Sequence, residues 1–279
     1  MAVTLKMTRL CDDAMLVLVL LMVAATAAFF LTPLIVLAGL SFDNREYLAP
    51  FPPDTWSLRW YAKFFSERYY LAGLRTSILT SGIATLISSV LGVSAAVVID
   101  RHRFCGKELV LAFFLSPLAV PSVVVGFALL NFYSRIGIFD GFARLVGGHV
   151  LMTIPFIVRA TLASLAGIPR SLPEAAMALG ATERQAFWEV TFPLARTGII
   201  GGAIVAFAFS FDDVSMSLFL SDPKAYTLPV AMVSMMRSNF DLAIAAASML
   251  FVAITILIVI MLDRIVGLDR IIGQGMYRS

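Results

Sequence analysis

The sequence predicts an all-α membrane protein with six transmembrane helices, and three observations predict it. First, the 279-residue chain is 60% apolar and only 14% charged, with a mean hydropathy of +0.92. Soluble domains run about 45–50% apolar and about 25% charged, so lipid must solvate much of this surface. Second, six apolar segments, about 16–40, 77–99, 109–133, 150–168, 198–220 and 242–262, are long enough to cross hydrocarbon. A crossing takes about 20 residues, and it must be helical because the backbone finds no water there. Third, one polar, Gly-punctuated island, 169–197, interrupts the pattern with helix signals of its own. The whole chain, 1–279, reads as a single transmembrane domain.

Lys6 and Arg9 precede the first apolar stretch as they would in a secretory signal. That stretch is far longer than the roughly 7–15 residues of a signal core and ends in no small-residue cleavage site, so it is expected to stay as a span. In the following loop, "SLRWYAKFFSERYY" sets Trp60, Tyr61, Phe64, Phe65 and Tyr69 at helical spacing among Arg59, Lys63 and Arg68. Two readings are open: an amphipathic helix lying on the membrane surface, or a helix packed on the protein's own outer rim. In the third span Pro117 and Pro121 each remove a backbone donor, so a kink or local opening is expected. An even span count puts both termini on one side. With them inside, cytoplasmic segments hold 11 Lys and Arg against 9 outside, a small excess in the positive-inside sense.

Cys11 and Cys105 lack metal-ligand spacing and read as unpaired thiols, while His102 and His149 stand alone and read as structural. Neither a metal site nor a convergent catalytic cluster is expected. Net charge is +3 without a dense basic run, so no nucleic-acid partner is expected.

In the island, Ser171 and Glu174 stand in S-x-x-E spacing with Pro173 just inside, the pattern of a capping box. The helix "PEAAMAL" then meets Gly180, suited to a left-handed helix stop. Thr182 and Gln185 repeat the capping pattern, and "ERQAFWEV" predicts a second short helix that Pro193 ends. Phe187, Trp188 and Phe192 are expected to be exposed on an element that cannot bury them alone, which calls for a partner surface.

Glu174-Ala175-Ala176, Gly180 and Val190-Thr191-Phe192-Pro193 resemble the EAA signature (E-A-A, three residues, G, nine residues, I-x-L-P) of inner-membrane permeases of ABC importers. Val190 and Phe192 replace the usual Ile and Leu. "SPLAVPSVVVGFALL" and "FSFDDVSMSLFLSDPKAYTLPVAMVSMM" are similar to segments of spermidine/putrescine permeases, whereas "FDLAIAAASM" departs from their Pro-Glu-Ile-Asn-like run, with Asp241 its one acid. The resemblance implies a type I importer permease (MetI-like) fold in a bacterial inner membrane, multi-pass, with both termini cytoplasmic. It implies that loop 169–197 is the coupling helix that docks on an ATP-binding subunit, present in two copies, with Glu174, Ala175, Ala176, Gly180 and Pro193 as the matched positions; the aromatics Phe187 and Trp188 join them as expected coupling-loop residues. It further implies a second, different permease chain and a periplasmic solute-binding protein. No cofactor is expected on this chain, and ATP and Mg belong to the partner ATPase. The absence of a G-x-x-x-x-G-K-[ST] loop agrees.

Asp212 and Asp213 fall about two-thirds of the way along the predicted fifth span from its inner end. An ionised side chain at that depth costs about 2.5–3.5 kcal/mol and so must face water, protein or a partner. As adjacent helical residues they would point about 100° apart. Two readings are open: lining a substrate pathway for an ammonium group, or structural pairing with Arg237, Lys224 or Arg159. The substrate implied is a polyamine, with opines, aminophosphonates, ferric iron or thiamine as alternatives, and a stand-alone channel or secondary transporter is the more distant one.

Overall fold

The computed structural model describes residues 2–47, 50–102, 104–238 and 241–266, in which every regular element is helical. The chain divides into two compact units, Met1–Ser66 with Asn239–Phe251, and Glu67–Ser238 with Val252–Ser279.

In the first unit, α1 (Ala2–Ser41) is a long helix whose side chains from Met15 to Leu34 are exposed, the state expected of a helix solvated by lipid. α2 (Arg59–Ser66) buries Trp60 and Phe64, and the Trp60 indole donates to the Asp43 carbonyl at 2.6 Å. Of the two readings for this segment, packing on its own unit is therefore the one observed. Asp241 Oδ1 accepts from the Ala243 amide at the start of α12 (Ala243–Val266), and its Oδ2 pairs with Lys63 at 2.6 Å.

The second unit is built on three long helices, α3 (Arg68–Arg101), α6 (Gly141–Ala166) and α9 (Phe192–Asp212). Lipid supplies no hydrophobic drive between helices, so close backbone approach through small residues must hold them. α3 shows this stripe: Gly73, Ser77, Ser81, Ala84, Ser88, Gly92 and Ala96 are its buried small residues. A Cβ at Gly92 would stand 2.8 Å from Ile157 of α6, and one at Gly202 of α9 would stand 2.6 Å from the Ala160 Cβ. The third apolar segment is broken as the prolines predict: Lys107–Ala119 and Ser122–Arg135 meet at 104°. α4 (Lys107–Leu115) passes into a 3₁₀ turn over Ser116–Ala119, then α5 (Ser122–Arg135) restarts after Pro121.

Several boundaries differ from expectation. α6 begins at Gly141, well before 150, because the Asp140 carboxylate caps it by accepting from the Ala143 amide at 2.7 Å. The fifth segment does not run 198–220: it is helical from Glu183 and stops at Asp212. Beyond it come the short α10 (Ser217–Leu220) and α11 (Leu228–Ser238). Among the described residues four helices are long and apolar enough to cross a membrane, or five if the bent pair counts as one span. The apolar part of the last segment, Ala243–Ile258, is shorter than that measure.

Candidate functional site

The loop after α6 carries α7 (Ser171–Ala178), which holds Glu174, Ala175 and Ala176. The first expected capping box does not form: Arg170 already has helical dihedrals, so Ser171 lies inside the helix and no side chain caps its start. The stop is as expected. Gly180 has φ +97°, the Ala181 amide donates to the Ala176 carbonyl at 3.1 Å and the Gly180 amide to Met177 at 3.0 Å, a Schellman closure. The second box is present: the Thr182 amide donates to Gln185 Oε1 at 2.8 Å and the Gln185 amide to Thr182 Oγ1 at 3.3 Å.

Pro193 does not end the second helix. α8 (Glu183–Ala186) continues through a π turn over Phe187–Thr191 into α9, with Pro193 in the first turn of α9. Proline lacks an N–H and crowds the carbonyl four residues back, and the wider turn, in which the Phe192 amide reaches the Phe187 carbonyl, relieves both. The second short helix of the loop and the fifth apolar segment are thus one helical path from Glu183 to Asp212.

The expected aromatic surface is only partly exposed. Trp188 is 54% exposed, but Phe187 and Phe192 are half-buried, and the three rings pack on one another with centroids 5.0–6.2 Å apart. Arg101, at the end of α3, stacks over the Phe187 ring at 5.0 Å and approaches Glu183 at 3.5 Å, tying the loop to α3. A cleft of about 230 Å³ lies beneath the loop, lined by Asp100, Arg101, Glu174 and Glu183 among others. The most exposed apolar side chain here is one the sequence reading passed over: Leu179, at 91%, just before Gly180. Leu172 and Met177 of α7 are exposed as well.

At the opposite end of α9, Asp212 is its last residue and Asp213 caps it in extended conformation with ψ 124°. The expected pair of adjacent helical positions is therefore replaced by a helix end. Asp212 is exposed and Asp213 half-buried. Neither is ion-paired among the described residues, so the expected partners Arg237, Lys224 and Arg159 do not neutralise them there. Asp213 Oδ2 instead accepts from the Ser217 amide at 2.9 Å and the Ser217 hydroxyl at 3.0 Å. Arg159 is exposed in a groove of about 720 Å³ with Phe156, Gly198, Gly202 and Val205.

Nearby, Asp222 accepts from the amides of Gly141, Lys224 and Ala225, each at 2.8 Å, with Arg144 at 3.7 Å. Burial pushes its pKa up, but the amides and Arg144 outweigh that and hold it below the ordinary carboxylate value. Cys105 is a free, exposed thiol, and the side chain of Cys11 lies outside the described residues. Among the described residues no group of three or more His, Cys, Asp or Glu could hold a metal.

Residues 88–268 match the family model described as binding-protein-dependent transport system inner membrane component. The chain is 25% identical over 234 residues to the spermidine/putrescine transport system permease protein PotC of Haemophilus influenzae, covering 84% of this chain and 90% of the relative. It is 29% identical over 229 residues to the putrescine transport system permease protein PotI of Escherichia coli K12, covering 80% and 81%. It is also 33% identical over 188 residues to the trehalose transport system permease protein SugB of Mycobacterium tuberculosis, covering 67% and 69%. The fold matches a chain of a bacterial ABC transporter that imports the acidic polysaccharide alginate, with a TM-score of 0.72 at 17% identity over 89% of this chain and 94% of that one. This chain belongs to the family of inner-membrane components of binding-protein-dependent transport systems: it is a multi-pass, non-catalytic permease subunit of an ABC importer.

Proposed function

We propose that this chain forms half of the translocation pathway for a small cationic solute, a polyamine such as putrescine or spermidine. The whole chain acts as one permease domain of six spans with both termini cytoplasmic, the broken α4–α5 segment counting as the third span and α12 as the sixth. Loop 169–197 docks on an ABC ATP-binding subunit, of which the assembly holds two copies, a second, different permease completes the pathway, and a periplasmic binding protein delivers the solute. ATP-driven closure of the ATPase moves α7, and the unbroken path from Glu183 to Asp212, about 45 Å at 1.5 Å per residue, carries that motion to the far end of the bundle.

The observation that supports the cationic reading is the Asp212–Asp213 pair at that far end. A carboxylate offsets the ammonium's lost hydration and offers acceptors for its three donors. Two acids without a counter-ion in the described residues, in a chain similar to two polyamine permeases, are what a cation pathway needs. A second reading, a neutral sugar, is favoured by the likeness to the trehalose permease.

Uptake of labelled putrescine, spermidine and trehalose in cells carrying the complete transport system, with and without this chain, tests both. ATP-dependent polyamine uptake that requires the chain is the expected result. Chain-dependent trehalose uptake alone would replace the substrate and keep the machine. Uptake by the isolated chain without an ATPase would overturn the importer mechanism itself.

A further inference from the structure

His149 is 1% exposed in the body of α6 and sits at a convergence of four helices. Its Nδ1 lies 2.7 Å from the Ser210 hydroxyl of α9, which is 3.2 Å from the Ser81 hydroxyl of α3. Its Nε2 lies 3.0 Å from the Ser217 hydroxyl of α10. Thr153, one turn along α6, donates to the His149 carbonyl at 2.7 Å and meets Ser88 of α3 at 2.6 Å. Burying this many polar groups costs free energy unless each finds a partner, and the partners here come from every neighbouring helix.

The protons on one side of the ring can be counted. Ser217 has a single hydroxyl hydrogen, and it goes to Asp213 Oδ2. Nε2 must therefore carry a hydrogen and donate it to Ser217, whichever way the Ser210 side is wired. The chain runs Nε2–H to Ser217 to Asp213, and donation from the histidine polarises the Ser217 hydroxyl toward the carboxylate. With the Ser217 amide, this commits Oδ2 of Asp213 to two protein donors. Oδ1 has no hydrogen-bond partner among the described residues.

We infer that His149 is a positioning residue for substrate recognition: acting through Ser217, it locks one oxygen of Asp213 and leaves the other oriented for the ammonium group of the solute. This rests on the reading of Asp213 as a pathway carboxylate. A carboxylate with two fixed donors has little rotational freedom left, so the cation meets a preorganised acceptor rather than one it must order.

The test uses the complete importer in proteoliposomes with saturating binding protein, comparing uptake of putrescine with that of N,N′-diacetylputrescine, which carries no ammonium group. The readout is the ratio of the two rates, with the yield of assembled complex measured beside it. Asp213→Asn should lower the ratio about tenfold, the scale of one hydrogen bond to a charged group. His149→Leu and Ser217→Ala should each lower it by a similar factor, their double variant no further, and His149→Gln, which keeps an N–H donor, should recover most of it. A merely structural histidine would lower yield or both rates together and leave the ratio alone. If His149→Leu fails to assemble, Ser217→Ala, a change of one oxygen, decides. An unchanged ratio in Ser217→Ala, while Asp213→Asn lowers it, overturns the positioning role and spares the carboxylate. An unchanged ratio in Asp213→Asn overturns the pathway reading and this inference with it.

Discussion

Several carboxylates among the described residues are held for structure, and Asp43 is the most completely enclosed of them, with no exposed surface. Arg45 grips it with Nε at 2.9 Å and Nη2 at 2.7 Å, and the Arg45 amide adds a bond at 3.0 Å. The Arg45 side-chain bond is the largest cause holding the Asp43 carboxyl below its ordinary value, against burial, which pushes it up. A folded value below the unfolded one of about 3.9 makes a contribution that is complete above that pH and lost as pH falls through the folded value. Corrected for the intrinsic pH dependence of exchange, the Asn44 and Ser57 amides, bonded to the Thr55 and Phe42 carbonyls, should therefore exchange slowly near neutrality and faster only below about pH 4. Asp43→Asn should bring that faster exchange to pH 7. Slow exchange in the variant would show that the pair does not hold the loop. Asp222 and Asp241 are fixed by amides in the same way, which is what sets Asp212 and the free oxygen of Asp213 apart. That contrast was not legible in the sequence, where all five are simply Asp beside apolar runs.

At the scale of the element, the loop after α6 shows what local sequence can and cannot announce. Gly180 and the Thr182–Gln185 box were legible because their chemistry is contained within a few residues. The Ser171–Glu174 box had the right letters, but Arg170, just before it, already has helical dihedrals and removes the position a cap needs. Pro193 departs from expectation for a similar reason: a π turn upstream absorbs the missing donor, so the helix continues. Gly180→Ala places a side chain at φ +97°, at a cost of about 1–2 kcal/mol, and should loosen the helix stop. We expect that variant, and Glu174→Lys on the exposed face of α7, to remain in the membrane while ATP-coupled uptake falls severalfold. Normal uptake in both would remove loop 169–197 from the coupling role. The His149 network was not legible at all, since its side chains come from stretches more than 60 residues apart.

At the scale of the whole molecule, composition alone demanded lipid as solvent, but it gave no way to tell a lipid-facing apolar residue from one awaiting a protein. Position resolves this. Leu172, Met177 and Leu179 are exposed in the polar, charged loop that precedes the Glu183–Asp212 helix, and Trp188 in the first turns of that helix. With loop 169–197 on the cytoplasmic side, as proposed, these side chains meet water rather than lipid tails, and a protein partner is the cover that removes them from it. Their geometry favours one anchor: Leu179 stands free at the helix stop, while Trp188 is braced by Phe187 and Phe192. Burying one leucine contributes about 1.5–3 kcal/mol, which is about tenfold or more in affinity. Leu179→Asp should therefore cut the ATP-binding subunit that co-purifies with this chain by at least about tenfold, with the chain's membrane level unchanged. The loss should be larger than for Leu86→Asn, a control on the exposed face of α3 within the span. Equal retention of the ATPase by the Leu179 variant and the parent would mean that the partner engages another face of the loop, and the charged rim around Glu174 and Glu183 would be the surface to change next.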